Sequence, residues 1–243
     1  MSDAETNPVP VKGLFARAVG VIFSPRATFE SVVAHPRPAG ILLVAIVLTA
    51  AATAGPQFTE RGRQIMLDMQ VHQREVALNQ TLSDDQYAQL ERFSHYLGYL
   101  TIASVVIFTP VVVMFFSGLY WVLFNAVLGG DATFRKILAV VAHSSIISAV
   151  GAALGMPIMV AQGKFSSVGP FNLGGLAAAA DPDGYLHHFL GAISVVQVWG
   201  IVATAIGLSV LYRRKVGGIA TVLLGLYVVI VGTLAYFFGR FMA

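Results

Sequence analysis

Five blocks of the chain, residues 38–59, 93–130, 137–163, 184–212 and 216–239, contain no Asp, Glu, Lys or Arg. Each is at least as long as the roughly 20 residues that a helix needs to cross a hydrocarbon layer about 30 Å thick. Lipid offers backbone amides no partner, so apolar runs of this length must satisfy their own hydrogen bonds, which selects α-helices. No segment alternates apolar and polar positions over about ten residues, so a membrane barrel is excluded. The pattern predicts an all-α polytopic membrane protein with five transmembrane helices, spanning residues 39–58, 100–128, 137–161, 189–212 and 217–239.

The intervening segments have patterns of their own. Residues 1–11, with Pro8 and Pro10, read as a disordered tail. In residues 12–38, Leu14, Phe15, Ala18, Val19, Ile22 and Phe23 recur at helical spacing against Lys12, Arg17 and Gly20, giving an amphipathic helix. Ser24-Pro25 then supplies an N-cap and a first-turn proline, opening a second short helix that puts Phe29, Val32 and Val33 on one face. The pair reads equally as an interfacial hairpin on a leaflet and as packed cover for the bundle. Residues 59–97 predict an outer helical loop within the 39–243 membrane domain; Ser83 and Gln86 have the spacing of a capping box, and Asp84 and Asp85 suit a helix N-terminus. The block at 93–130 is too short for two crossings and a turn, so it predicts one span containing Pro110, ended by Gly129-Gly130-Asp131. Residues 163–188, rich in Gly, Pro and Asp, predict an irregular loop.

Composition agrees: 56% of residues are hydrophobic and 11% charged, with mean hydropathy +0.75, against about 25% charged in soluble domains. There is no cysteine, which removes disulfides, thiolate metal sites and cysteine nucleophiles. The net charge of +3 implies no nucleic-acid partner, because the basic residues are spread over termini and connections. They report orientation instead. Nine lie on one side (Lys12, Arg17, Arg26, Arg37, Arg135, Lys136, Arg213, Arg214 and Lys215), and six on the other (Arg61, Arg63, Arg74, Arg92, Lys164 and Arg240). That asymmetry puts the N-terminus in the cytoplasm and the C-terminus outside. Residues 1–10 are polar and acidic, unlike a cleaved signal peptide. Lys12, Arg17, Arg26, Arg37, Arg213, Arg214 and Lys215 are the candidate contacts to lipid headgroups.

Polar residues within apolar spans are functional candidates. Here they are Asn125, His143 with Ser144 and Ser145, and Gln197, and the candidate intramembrane cluster is Asn125, His143 and Gln197. A hydrogen bond from His143 across the bundle to Asn125 or Gln197 is the simpler expectation; a proton relay is the alternative. Gly151 and Gly155 share a face suited to close helix approach. No nucleophile elbow, zinc helix or phosphate loop is present. Asp181, Asp183, His187 and His188 form a weak metal-ligand grouping in a loop. Neither a catalytic residue, a cofactor nor a metal site is expected.

Phe23-Ser24-Pro25 followed by Thr28-Phe29-Glu30, then five spans with Tyr120-Trp121 leading to Asn125 and a glycine turn, resembles the Yip family of Ypt/Rab-interacting membrane proteins in its bacterial branch. Residues 82–86, Val198-Trp199-Gly200 and Gly207-Leu208 add to the resemblance, which covers residues 12–240. It implies a five-helix membrane domain with a cytosolic N-terminus, in a bacterial inner membrane. In eukaryotic relatives a longer cytosolic N-terminal region links the family to Rab GTPases and vesicle traffic. The expected function is a non-enzymatic membrane protein that organises lipid or protein partners, a homo-oligomer among them. The alternative is a small permease or channel that uses the polar residues of the second to fourth spans.

Overall fold

The computed structural model describes residues 12–163, 169–176 and 189–241. The expected tail at 1–11, Lys164, and the grouping of Asp181, Asp183, His187 and His188 lie outside the described residues. The helices are α1 (Leu14–Phe23), α2 (Pro25–Ala34), α3 (Pro38–Ala54), α4 (Glu60–Leu78), α5 (Asp84–Trp121), α6 (Phe134–Ala161), α7 (Val195–Tyr212) and α8 (Val216–Phe241). Among the described residues there is no strand, only one isolated bridge between Asn172 and Ser194. Five helical stretches are long and apolar enough to cross a membrane: Pro38–Phe58, Asp84–Val127, Phe134–Ala161, Val195–Tyr212 and Val216–Phe237. The protein is therefore an all-α polytopic membrane protein.

Helix α6 is the centre of the bundle. Ile137, Ala139, Val140, Ala142, Ile146 and Ala149 are buried on it, and it packs against α3, α5 and α7. Small residues set the approach distances. A Cβ at Gly207 of α7 would lie 2.5 Å from Val140 Cγ1 and 2.9 Å from Phe29 Cδ1, so α6, α7 and α2 meet where one glycine leaves room. Gly151 likewise admits Val196 of α7, whereas Gly155 faces Pro170 and Phe171 rather than a helix.

The bundle has two distinct faces. On the first, α1 and α2 dock on α6 and α7, beside the connections 128–133 and 213–215, which Arg214 joins by donating from Nη2 to Leu128 O at 2.9 Å. On the far face, α4 and the first turns of α5 form a helical hairpin. Ser83 and Gln86 close the capping box in both directions. The continuous helix from Asp84 to Val127 has 44 residues, roughly 66 Å at 1.5 Å per residue, about twice the hydrocarbon thickness, so its first third stands beyond the membrane. Just past this part the helix is tied to the end of the first span, where Gln57 donates to Thr101 Oγ1 at 3.1 Å and Phe58 meets Tyr99 edge-on at 5.1 Å.

Helix α5 ends in a π turn at Val122–Val127. Leu128 N donates to Leu123 O at 3.2 Å, and Gly129, with φ +68°, turns the chain toward α6. A wider turn of this kind rotates the side chains it carries, and such turns recur at functional positions.

Candidate functional site

Helix α1 is turned inside out relative to a helix in water. Phe15 and Phe23 are 82% and 79% exposed and Leu14 and Val19 are exposed beside them, while Arg17 is only 3% exposed. The reason is α2, which offers α1 a polar surface. Arg17 Nε donates to Lys12 O at 2.9 Å and Nη1 to His35 O at 3.3 Å, the carbonyl that follows the last turn of α2. Lys12 Nζ donates to Thr28 Oγ1 at 3.2 Å, and Gly20 leaves the space that Thr28 fills. The two helices are thus clasped by polar contacts, with Phe29 and Val32 of α2 fully buried against the bundle.

Among the described residues Arg17 has no carboxylate partner. Among the described residues the ion pairs are Arg26–Glu30, at 3.7 Å on the surface, and Arg63–Glu60. Burial first, and then the neighbouring Arg37 charge, hold the Arg17 guanidinium below its ordinary pKa. Among the described residues its buried Nη2 has no hydrogen-bond partner, nor have His35 Nδ1 and His143 Nε2. Arg17 therefore faces inward, because the carbonyls of Lys12 and His35 hold it there. Arg26, Arg37, Arg213, Arg214 and Lys215 are exposed, and Lys12 is half-buried. All of them are on the first face.

The three intramembrane polar residues occupy three separate environments, and none hydrogen-bonds another. Asn125 is on the π turn: its Nδ2 donates to Ala132 O at 2.7 Å and its Oδ1 accepts from Tyr212 Oη at 2.7 Å. His143 is fully buried, and its Nδ1 is 2.7 Å from Ala139 O in its own helix. Gln197, in the first turn of α7, is exposed and lines a lateral cleft with Ser104 and Ser148. Sequence patterns did not single out Tyr212 or Ser148. Tyr212 carried one signal, an aromatic residue at a span end beside three basic residues.

Five apolar helices, an α1 with an exposed apolar stripe and basic residues gathered on one face define a helical integral membrane protein with an amphipathic N-terminal pair. The Yip1 domain family matches residues 19–239, and the chain belongs to that family. Neither the comparison with curated proteins nor that with solved structures found a match.

Proposed function

We propose that this Yip-type membrane protein is non-enzymatic and organises lipid at the membrane, with its first face on the cytoplasmic leaflet of a bacterial inner membrane. The observation that carries the reading is the outward stripe of Leu14, Phe15, Val19 and Phe23 on α1. Exposed to water, such a stripe has no counterweight. Laid in the interface, its rings and aliphatic groups enter the acyl boundary, while Arg26, Arg37, Arg213, Arg214 and Lys215 stand at headgroup level. The distribution of basic residues supports the cytoplasmic assignment of that face.

The chain has no cysteine, so one label can be placed cleanly. A nitroxide at Phe23→Cys in the full protein, reconstituted in bilayers, is expected to be more accessible to dissolved oxygen than to a polar nickel reagent. The reverse ratio would show α1 standing in water and would refute the leaflet contact.

A further inference from the structure

A cleft of about 710 Å³ runs along the membrane domain. Its floor is α6 and α7, and its walls include Phe108 and Val112 of α5 and Ile230 and Leu234 of α8, all exposed. Among the described residues, none that lines it is charged. The polar side chains that line it include two kinds. Ser144, Ser145 and Thr204 donate to Val140 O, Ala142 O and Gly200 O of their own helices at 2.8 to 3.0 Å. Ser104, Ser148 and Gln197 have no hydrogen-bond partner among the described residues. In hydrocarbon an unpaired carboxamide or hydroxyl is costly, so groups left free there call for a partner brought in from outside the chain.

Ser148 and Gln197 also line a second cavity of about 240 Å³, bounded by Thr53, Gly155, Phe171, Asn172 and Ser194 on the far-face side. The two spaces therefore meet at one pair of free polar side chains. The larger is lined mainly by apolar side chains. A volume of about 710 Å³ is in the range of small-ligand pockets.

We propose that this cleft binds an uncharged single-chain amphiphile of the monoacylglycerol kind. Its hydroxyl or carbonyl head hydrogen-bonds Ser148 and Gln197 at the mouth of the smaller cavity, and its acyl chain lies between α5 and α8. With no charged residue among the described lining, the cleft offers no counter-charge to anionic lipids and fatty-acid anions and favours an uncharged head. No residue of α1 lines the site, and it does not depend on the leaflet contact of α1.

The test is photolabelling of the full protein in proteoliposomes with a diazirine-bearing monoacylglycerol, competed by the unlabelled compound. Adducts are expected on Phe108, Val112, Ile230 and Leu234 in preference to Leu43 and Val47, which face outward on α3. Gln197→Leu is expected to lower specific labelling about threefold, the factor carried by one average intramembrane hydrogen bond. Ser148→Ala, a smaller change, serves as the second variant should Gln197→Leu fail to insert, with the same reduction expected. Even labelling of cleft and outer residues, unchanged labelling in a folded variant, or stronger labelling by an anionic diazirine phosphatidylglycerol would each overturn the proposal. Cross-links between two copies of the chain through the cleft would overturn it as well, by making a second copy the occupant.

Discussion

Tyr212 donates its hydroxyl hydrogen to Asn125 Oδ1 across 2.7 Å, joining two residues 87 positions apart in sequence. The contact locks the π turn at the end of α5 to the last turn of α7. The Tyr212 ring also stacks on Phe124, with centroids 5.3 Å apart. Tyr212→Phe keeps the stack and removes only the hydroxyl, and its expected cost is about 0.6 kcal/mol, with about 1.7 kcal/mol as the upper end for such bonds in membranes. Asn125→Leu should cost more, because Ala132 O loses its donor too. Unfolding in mixed micelles by denaturing detergent measures both, and a double-mutant cycle isolates the shared bond. Equal stability of all variants would show that the contact contributes nothing.

Packing at Gly207 gives a sharper contrast. A methyl there would press on Val140 and Phe29, and overpacking of that kind costs about 1–3 kcal/mol, more than the helix propensity gained over glycine. Nothing lies within 4 Å of a Cβ at Gly225 on α8. Gly207→Ala should therefore lower the unfolding midpoint, and Gly225→Ala should leave it unchanged or raise it. A midpoint for Gly207→Ala at or above the parent would mean that α2 is not seated against α7 as described.

His143 supplies the third test. Its Nε2 is buried and unpartnered, so Leu at this position removes an unsatisfied group of similar bulk and forfeits only a bond to its own helix. His143→Leu is expected to insert and to unfold within about 1 kcal/mol of the parent. His143→Ala, which leaves a cavity, should be destabilised by about 2 kcal/mol or more. Loss of a proton or solute flux in folded His143→Leu would instead support the permeation alternative.

The spans were legible because they are uniform: five charge-free blocks need no register to be recognised. The capping box at Ser83 and Gln86 was legible because all its parts lie within four residues. Neither condition holds at the ends of the second span or on α1. In an unbroken apolar run the change from 3.6 to a wider turn at Val122–Val127 leaves no contrast between faces, so the π turn is silent in the pattern. Asn125, His143 and Gln197 are on three different helices, and their separation depends on rotations that sequence spacing within one helix does not contain. Arg17 belonged by pattern with the headgroup-facing bases. Its inward turn follows from the carbonyls of Lys12 and His35, the second of them 18 residues away.

Orientation is testable with single cysteines in the cysteine-free chain. Val76→Cys stands exposed on α4 at the far face and Lys215→Cys on the first face. A membrane-impermeant maleimide added to intact cells is expected to label Val76→Cys and to reach Lys215→Cys only after lysis. The opposite pattern would invert the assignment of the faces.

The exposed bases also differ in what they offer a headgroup. Arg26 sits 3.7 Å from Glu30 on α2, both well exposed, so the pair presents almost no net charge to a surface more than a few ångströms away. Arg37, Arg213 and Lys215 make no ion pair among the described residues, and near an anionic leaflet each contributes about 1 kcal/mol within a Debye length of about 10 Å. Purification from mixed anionic and zwitterionic bilayers, followed by measurement of the retained lipid, separates the two groups. Retention of anionic lipid should fall in the triple variant Arg37→Gln, Arg213→Gln, Lys215→Gln, and should fall in the parent as salt is raised. It should fall far less in Arg26→Gln, which removes one positive charge where the triple variant removes three, and should barely change in the double variant Arg26→Gln, Glu30→Gln, which leaves the pair's net charge at zero. An equal loss from Arg26→Gln and from the triple variant, or retention indifferent to salt, would remove the electrostatic part of the leaflet contact and leave α1 held by its apolar stripe alone.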